Sequence, residues 1–374
     1  MVKRAHARNK QLLLTQDDYS IATESRKALW SVRQRDKYML TKNRQATDTT
    51  TLQGHRCRNS IQDFYPHNAM SPNYHDYTPS PSYHDLAVDT SLGNASVHYI
   101  EAGSVSKPTV LLLHGFPSSS NQFRDLVPLI SDSYHVLAPD LPGFGLTKVP
   151  ENFVYTFDAL TTIIAAWLLA LNITRYAVYI FDYGAPVGLR LALQNPDHIA
   201  AIISQNGNAY DSGFGQPFWE PIMALWNETN PNSEADRDAL RKFYLQIGGT
   251  DYQYTTGVPE GDLKLINPVA AQIDYYLNLE GRRKQDIQLD LFYDYRNTPP
   301  LYPKVQEYFR KSQVPLLAAW GKGDPVFIPP GAEDFKKDLP NAEIHLLDAG
   351  HFALETKRWE IAALTKNFLK TVKF

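Results

Sequence analysis

The chain has 374 residues, 43% of them apolar and 21% charged, which suits a core domain with an inserted layer and excludes wholesale disorder. A formal net charge of −3 gives no electrostatic case for binding nucleic acid or a membrane surface. The single cysteine, Cys57, excludes an intrachain disulfide framework, and no run of about 18 apolar residues is present to span a bilayer.

Residues 1–44 carry eleven Lys/Arg against four acids, and the stretch from Pro66 to Pro81 is rich in Pro, Ser, Asn, Tyr and His. Residues 1–84 therefore read as a basic, disordered extension and linker. The apolar patch Leu12–Leu14 is too short for a secretory signal, and a cytoplasmic location is expected. Mitochondrial targeting is the alternative, because the first acid is Asp17.

From Leu86 the pattern turns to strands. Leu86–Thr90 and Ser96–Glu101 predict a hairpin turning at Gly93-Asn94. The apolar runs Thr109–Leu113, Tyr134–Pro139, Tyr176–Phe181, Ala200–Ser204, Pro315–Trp320 and Glu343–Leu347 suit buried parallel strands. Helical patterns lie between them, at Gln122–Leu129, Thr156–Leu171, Ala185–Gln194, Gly331–Lys337 and Lys357–Lys370. This alternation predicts an α/β fold with helices on both faces of a mostly parallel sheet. About 110 residues break it between Ala200 and Pro315, with helical patterns at Phe218–Trp226, Ser233–Gln246 and Asn267–Leu279. The expected division is a core over 85–210, a helical cap over 211–312, and the rest of the core over 313–374. A cap there would roof the carboxyl ends of the strands, where open parallel sheets bind ligands.

Three residues just past strand ends could carry chemistry: Asp182, Asp324 and His351, in the chain order nucleophile, acid, base. Asp182 sits in Ile180-Phe181-Asp182-Tyr183-Gly184, between a strand and a helix start, with Asp where the usual elbow Gly-x-Ser-x-Gly has Ser and Ile180 where it has the first Gly. No serine occupies the elbow, which disfavours a serine esterase. Gly143-Phe-Gly145 lacks the rest of a nucleotide fingerprint, and His114 reads as a structural hydrogen-bonder. No His, Cys or carboxylate cluster has metal spacing, so neither a metal nor a cofactor is expected.

The stretches His114-Gly-Phe-Pro117, Asp140-Leu-Pro-Gly-Phe-Gly145, Phe181-Asp-Tyr-Gly-Ala-Pro-Val-Gly188, Trp320-Gly-Lys-Gly-Asp-Pro325 and Asp348-Ala-Gly-His-Phe-Ala-Leu-Glu355 resemble the epoxide hydrolase and haloalkane dehalogenase branch of the α/β-hydrolase fold family. The resemblance covers roughly residues 85–374. It implies a sheet of about eight strands with a helical cap after strand six, and a cofactor-free hydrolase that takes a small apolar electrophile and water. The carboxylate of Asp182 would attack a saturated carbon to form an alkyl ester. Water activated by His351 would hydrolyse that ester, while Asp324 orients the imidazole. By the same resemblance the backbone N–H groups of Phe116 and Tyr183 would form the oxyanion hole.

Epoxides and halides share this triad and differ in what stabilises the leaving atom. In the family an epoxide oxygen takes a proton from cap tyrosines, whereas a halide is held by N–H donors, typically a Trp after the nucleophile and an Asn after the His-Gly turn. Here those two positions hold Tyr183 and Phe116. Fluoroacetate dehalogenases carry arginines just after the nucleophile; here the first is Arg190. Tyr295, 29 residues before Asp324, and Tyr254 are the expected acids, with Tyr252 and Tyr293 as competitors. Trp219 and Tyr293 are expected to line the substrate pocket; Trp219 and Trp226, seven apart, share a helix face. The expected activity is therefore opening of an epoxide to a vicinal diol. The alternatives are haloalkane dehalogenation with the same triad, a biosynthetic enzyme of this fold, and a non-catalytic small-ligand binding protein.

Overall fold

The computed structural model describes residues 80–227 and 233–374 of the 374. The expectations for the basic extension, including any targeting role, lie outside the described residues through position 79. Eight strands form one sheet: β1 (Ser82–Thr90), β2 (Gly93–Ala102), β3 (Thr109–Leu113), β4 (His135–Pro139), β5 (Tyr176–Phe181), β6 (Ile199–Gln205), β7 (Leu316–Gly321) and β8 (Glu343–Leu347). Their order is β1-β2-β4-β3-β5-β6-β7-β8. The β1–β2 and β2–β4 pairings are antiparallel and the rest are parallel.

The hairpin turn differs from expectation by two residues. Thr90 pairs with Gly93, so Ser91-Leu92 form the loop and Gly93, at φ +98°, opens β2. The Thr90 hydroxyl organises this loop: it accepts the Leu92 N–H at 3.1 Å and donates to the Gly93 carbonyl at 2.9 Å.

Every residue of β3, β4, β5, β6 and β7 is buried, as continuous apolar runs require when both sheet faces are covered. The pleat sorts them: Leu111 and Leu113 join one apolar cluster, Val110 and Leu112 the other.

Among the core helices are α1 (Val127–Ile130), α2 (Phe157–Ala170) and α3 (Gly184–Gln194). The helix expected over 122–129 is instead a 3₁₀ turn, Ser120–Phe123, followed by α1, which carries Pro128 in its first turn. Between β6 and β7 the described segments carry α4 (Gln216–Trp226), α5 (Glu234–Tyr244), α6 (Ile247–Thr255), α7 (Ala270–Asn278), α8 (Arg282–Asp294) and α9 (Tyr302–Ser312). The sequence patterns pointed to α4, α5 and α7 but not to the other three. After β7 the helix expected over 331–337 is broken at Asp334 into α10 (Pro330–Glu333) and α11 (Phe335–Asp338). The last helix, α12 (Ala353–Leu369), starts earlier than expected and carries its irregularity at Lys357, where φ is −122°. No helix among the described residues is long and apolar enough to cross a membrane.

Candidate active site

Asp182 directly follows β5 and opens the turn into α3, with φ +45°. A side-chain-bearing residue in this left-handed region carries a cost of about 1–2 kcal/mol, which the surrounding packing must sustain. That packing depends on absent side chains. A Cβ on Gly115 would collide with the Asp182 side chain, and one on Gly184 would strike the Leu113 carbonyl. Ile180, where the usual elbow has its first glycine, is accommodated because Gly188 lies opposite it: a Cβ there would stand 2.5 Å from Ile180 Cγ2. The room the motif loses at position 180 is thus recovered one turn into the helix.

The turn after β3 supplies donors. The Phe116 N–H donates to Asp182 Oδ1 at 2.5 Å, and the Tyr183 N–H also bonds the carboxylate. Two buried side chains brace this turn. His114 accepts the Leu141 N–H on Nε2 at 2.9 Å and contacts the Gly115 carbonyl through Nδ1 at 3.1 Å. A neutral ring, with its proton on Nδ1, satisfies both contacts, and burial, its dominant influence, keeps His114 below its ordinary pKa. Asp140, opening the Asp-Leu-Pro-Gly-Phe-Gly stretch, accepts the N–H groups of Ser120 at 2.7 Å and Leu146 at 2.8 Å.

His351 lies between β8 and α12 and is fully buried. Its Nδ1 bonds Asp324 Oδ2 at 2.8 Å, and its Nε2 stands 4.0 Å from Asp182 Oδ2. Asp324 is oriented in turn by the Val326 N–H, at 2.7 Å to Oδ1, and by the Asn206 amide, at 2.7 Å to Oδ2. The structure therefore brings together the three residues the sequence singled out, although 142 and 27 positions separate them along the chain.

Burial is the largest influence on Asp182 and pushes its carboxyl up to about 6; His351 and the two backbone N–H donors pull the other way. Burial alone would lower His351, but Asp324 and Asp182 outweigh it and leave the imidazole above its ordinary value. The arrangement can present a carboxylate to an electrophile, hold developing negative charge on two N–H groups, and remove a proton from water at Nε2.

The aromatic expectations divide. Tyr295, in the 3₁₀ turn after α8, is buried; its ring packs on Trp219 at 4.7 Å between centroids and on Tyr183 at 5.9 Å. Burial, Tyr302 and the Asp182 charge hold its phenol well above the usual value. Tyr302 lies close by, yet the Tyr295 hydroxyl makes no well-formed hydrogen bond among the described residues.

Tyr254 is placed elsewhere. Its hydroxyl donates to Asp274 Oδ2 at 2.6 Å, its ring stacks on Phe352 at 4.0 Å, and it belongs to the apolar cluster that does not contain Tyr295 and Tyr183. Tyr293 is half-buried with the Arg296 guanidinium over its ring, 3.4 Å from the centroid. Trp219 is buried against Tyr295 and Phe327, but its indole N–H donates to the Val326 carbonyl at 2.9 Å. Arg190 points to structure rather than to the site: it bonds Asp158 at 2.6 Å and the Pro186 carbonyl at 3.1 Å.

Asn206 was not singled out from the sequence. Besides orienting Asp324, its amide oxygen accepts the Gly321 N–H at 2.9 Å, and its own backbone takes φ +50°. The visible signal was the polar run Gln205-Asn-Gly-Asn208 directly after an apolar strand.

Comparison with known proteins agrees with this architecture. A family profile described as alpha/beta hydrolase fold matches residues 108–358. An uncharacterized hydrolase of Saccharomyces cerevisiae is 45% identical over 260 residues, 70% of this chain and 88% of the yeast protein. A haloalkane dehalogenase of Mycobacterium marinum is 34% identical over 120 residues, 32% of this chain and 40% of the dehalogenase, so this match spans less than half of that relative. Among solved structures, a haloalkane dehalogenase from Bradyrhizobium elkani superposes with a TM-score of 0.62 at 19% identity, over 78% of this chain and 98% of that one, a likeness of fold. The strand order, the elbow at Asp182 and the profile match together show that the chain belongs to the α/β-hydrolase fold family.

Proposed function

We propose that the protein is a hydrolase that opens an epoxide to a vicinal diol through an alkyl ester on Asp182. The carboxylate attacks one ring carbon, Phe116 and Tyr183 N–H groups hold the ester carbonyl, and Tyr295 protonates the departing oxygen. His351, oriented by Asp324, takes a proton from the water that hydrolyses the ester. The segment between β6 and β7 acts as the cap, and Trp219 forms part of the wall behind Tyr295.

The observation that carries the reading is the buried Tyr295 phenol, held against Tyr183 and under the influence of the Asp182 charge, with no well-formed partner for its hydroxyl among the described residues. An O–H donor suits an alkoxide leaving group. The second reading, haloalkane dehalogenation, draws support from the dehalogenase name of the partial relative. Against it, the indole N–H groups of Trp219, Trp226 and Trp320 donate to the carbonyls of Val326, Phe292 and Phe327, which leaves them unsuited to hold a halide.

The test is a single turnover in ¹⁸O-water with a panel of epoxides and bromoalkanes, followed by mass analysis of the Asp182 peptide. Label in Asp182 together with diol is expected. Label together with bromide release would move the assignment to a dehalogenase, and turnover without label in Asp182 would overturn the ester.

A further inference from the structure

We propose that the second proton donor for the departing oxygen is the hydroxyl of Tyr183, the residue that follows the nucleophile, and not that of Tyr254. This rests on the epoxide reading above. Tyr254 is engaged with a buried carboxylate: it donates to Asp274 Oδ2, while Oδ1 of the same group takes the Ser118 hydroxyl at 3.1 Å. Using that proton elsewhere would leave Asp274 without its shortest hydrogen bond in a fully buried site.

Tyr183 has the opposite situation. Its side chain is buried, and its hydroxyl has no protein partner among the described residues; that of Tyr295, near Tyr302, has no well-formed one. A buried hydroxyl without a partner is unfavourable, and a reacting oxygen that accepts its hydrogen bond would offset that penalty. The two phenols are held as a pair. Their rings lie 5.9 Å apart at 36°, and Phe157 meets both edge-on, at 4.9 Å from Tyr183 and 5.4 Å from Tyr295. Phe116, whose N–H reaches the nucleophile, packs on Tyr183 at 5.9 Å. The side chain of residue 183 is therefore tied to the same turn as the reacting carboxylate.

The electrostatics give the pair a timing. Burial first, and then the Asp182 charge, raise the Tyr183 phenol, and the same charge helps to raise Tyr295. Both stay protonated while the carboxylate is ionised. When an Asp182 oxygen donates its electron pair to the ring carbon, the carbon–oxygen bond of the epoxide breaks with its pair going to oxygen, and the carboxylate becomes a neutral ester. The charge that disfavoured tyrosinate has then gone, and each phenol is a stronger acid at the moment the alkoxide forms. The alkoxide takes one proton from one phenol, and the other phenol hydrogen-bonds the pair. After His351 has taken a proton from water and the ester has been hydrolysed, the imidazolium returns that proton to the tyrosinate, which balances the cycle.

The test uses the full chain and two probes, styrene oxide and 3,3,3-trifluoro-1,2-epoxypropane, whose alkoxide is less basic and needs less acid. Single-turnover rates of ester formation are compared for wild type, Tyr183→Phe, Tyr295→Phe and Tyr254→Phe. Tyr183→Phe is expected to slow styrene oxide opening by about tenfold or more, with a clearly smaller loss on the trifluoro probe. Tyr254→Phe is expected to stay within about threefold of wild type on both, a loss of packing and not of an acid. Tyr183→Trp keeps an aromatic wall without a phenol, should show the same graded loss, and stands in should the Phe variant not fold. An equal loss on both probes would make Tyr183 a pocket wall and overturn the proposal. So would a Tyr183→Phe rate equal to wild type beside a slowed Tyr295→Phe, with the epoxide reading intact. A wild type that releases bromide from bromoalkanes and forms no diol would defeat the epoxide reading itself, and the proposal with it.

Discussion

His351 turns its two nitrogens to two different carboxylates: Nδ1 is hydrogen-bonded to Asp324 at 2.8 Å, while Nε2 stops 4.0 Å short of Asp182. A serine nucleophile would need direct contact with that nitrogen, because its hydroxyl must be deprotonated. A carboxylate is already ionised and does not. The separation suits a base whose work is to activate water.

Replacing His351 with Gln should therefore separate the two half-reactions. Ester formation on Asp182 is expected to stay within about tenfold of wild type, while hydrolysis falls by roughly a hundredfold or more. Intact-protein mass after mixing with an epoxide should show one stoichiometric adduct on the Asp182 peptide. Steady turnover without adduct would count against His351 as the base of the second step.

The raised carboxyl of Asp182 predicts the acid limb of the pH profile. Ester formation needs the ionised form, and a folded value of about 6 requires a higher pH to produce it than an ordinary aspartate would. The ratio kcat/KM should bend near pH 6 and fall about tenfold for each further unit of acid. In the ester the Asp182 charge, one of the groups that raise His351, is gone, so the hydrolysis step should titrate at lower pH than His351 does before the ester forms. Rates of the two steps measured separately between pH 4.5 and 8, a window of about three and a half units, would show both limbs.

Asp182 should also weaken the fold. Its folded value, about 6, exceeds the ordinary 3.8, so ionisation is less favourable in the native state than in the unfolded chain. The loss of stability begins as pH rises past the unfolded value and is complete above the folded one. The shift, in which the attraction to His351 is already included, corresponds to at most about 3 kcal/mol. Asp182→Asn keeps an acceptor for the two N–H groups and removes the charge. It is expected to melt at a higher temperature than wild type at pH 8, with a gain that shrinks toward pH 4. A lower melting temperature at pH 8 would contradict this.

Asn206 is expected to act through Asp324. Asn206→Ala removes the 2.7 Å donor to Oδ2 and two contacts with Gly321, leaving Asp324 held by the Val326 N–H and His351. We expect kcat to fall about tenfold with KM little changed, and ester hydrolysis to slow more than ester formation. Equal slowing of both steps would indicate a general loss of packing around β6.

The strands were legible in the sequence because their signal is local. Runs such as Thr109–Leu113 and Tyr176–Phe181 are largely apolar and buried at every position, since both sheet faces are covered, and polar or turn residues bound them. Asp182, Asp324 and His351 were legible for the same reason, each lying just beyond such a run. The helices between β6 and β7 were read less well. The segment Ile247–Thr255 contains two glycines and little amphipathic pattern, and it is helical because neighbouring elements pack on it.

Which tyrosine packs near Asp182 was undecidable from spacing. Tyr254 and Tyr295 lie in similar aromatic-rich stretches, and nothing near Tyr254 in the chain announces Asp274, twenty positions on, as its partner. Tyr183 was visible only as a departure from a motif; that its ring packs beside Tyr295, with a hydroxyl that has no partner among the described residues, depends on Phe157 and Phe116, brought in from other elements. Apolar patterning along the chain thus determined the sheet and the order of the candidate triad, because burial of a strand is written in its own residues. The hydrogen-bond partners of buried polar groups were decided only by the tertiary structure, because each partner comes from a distant segment and its position, to within an ångström, depends on how the helices pack.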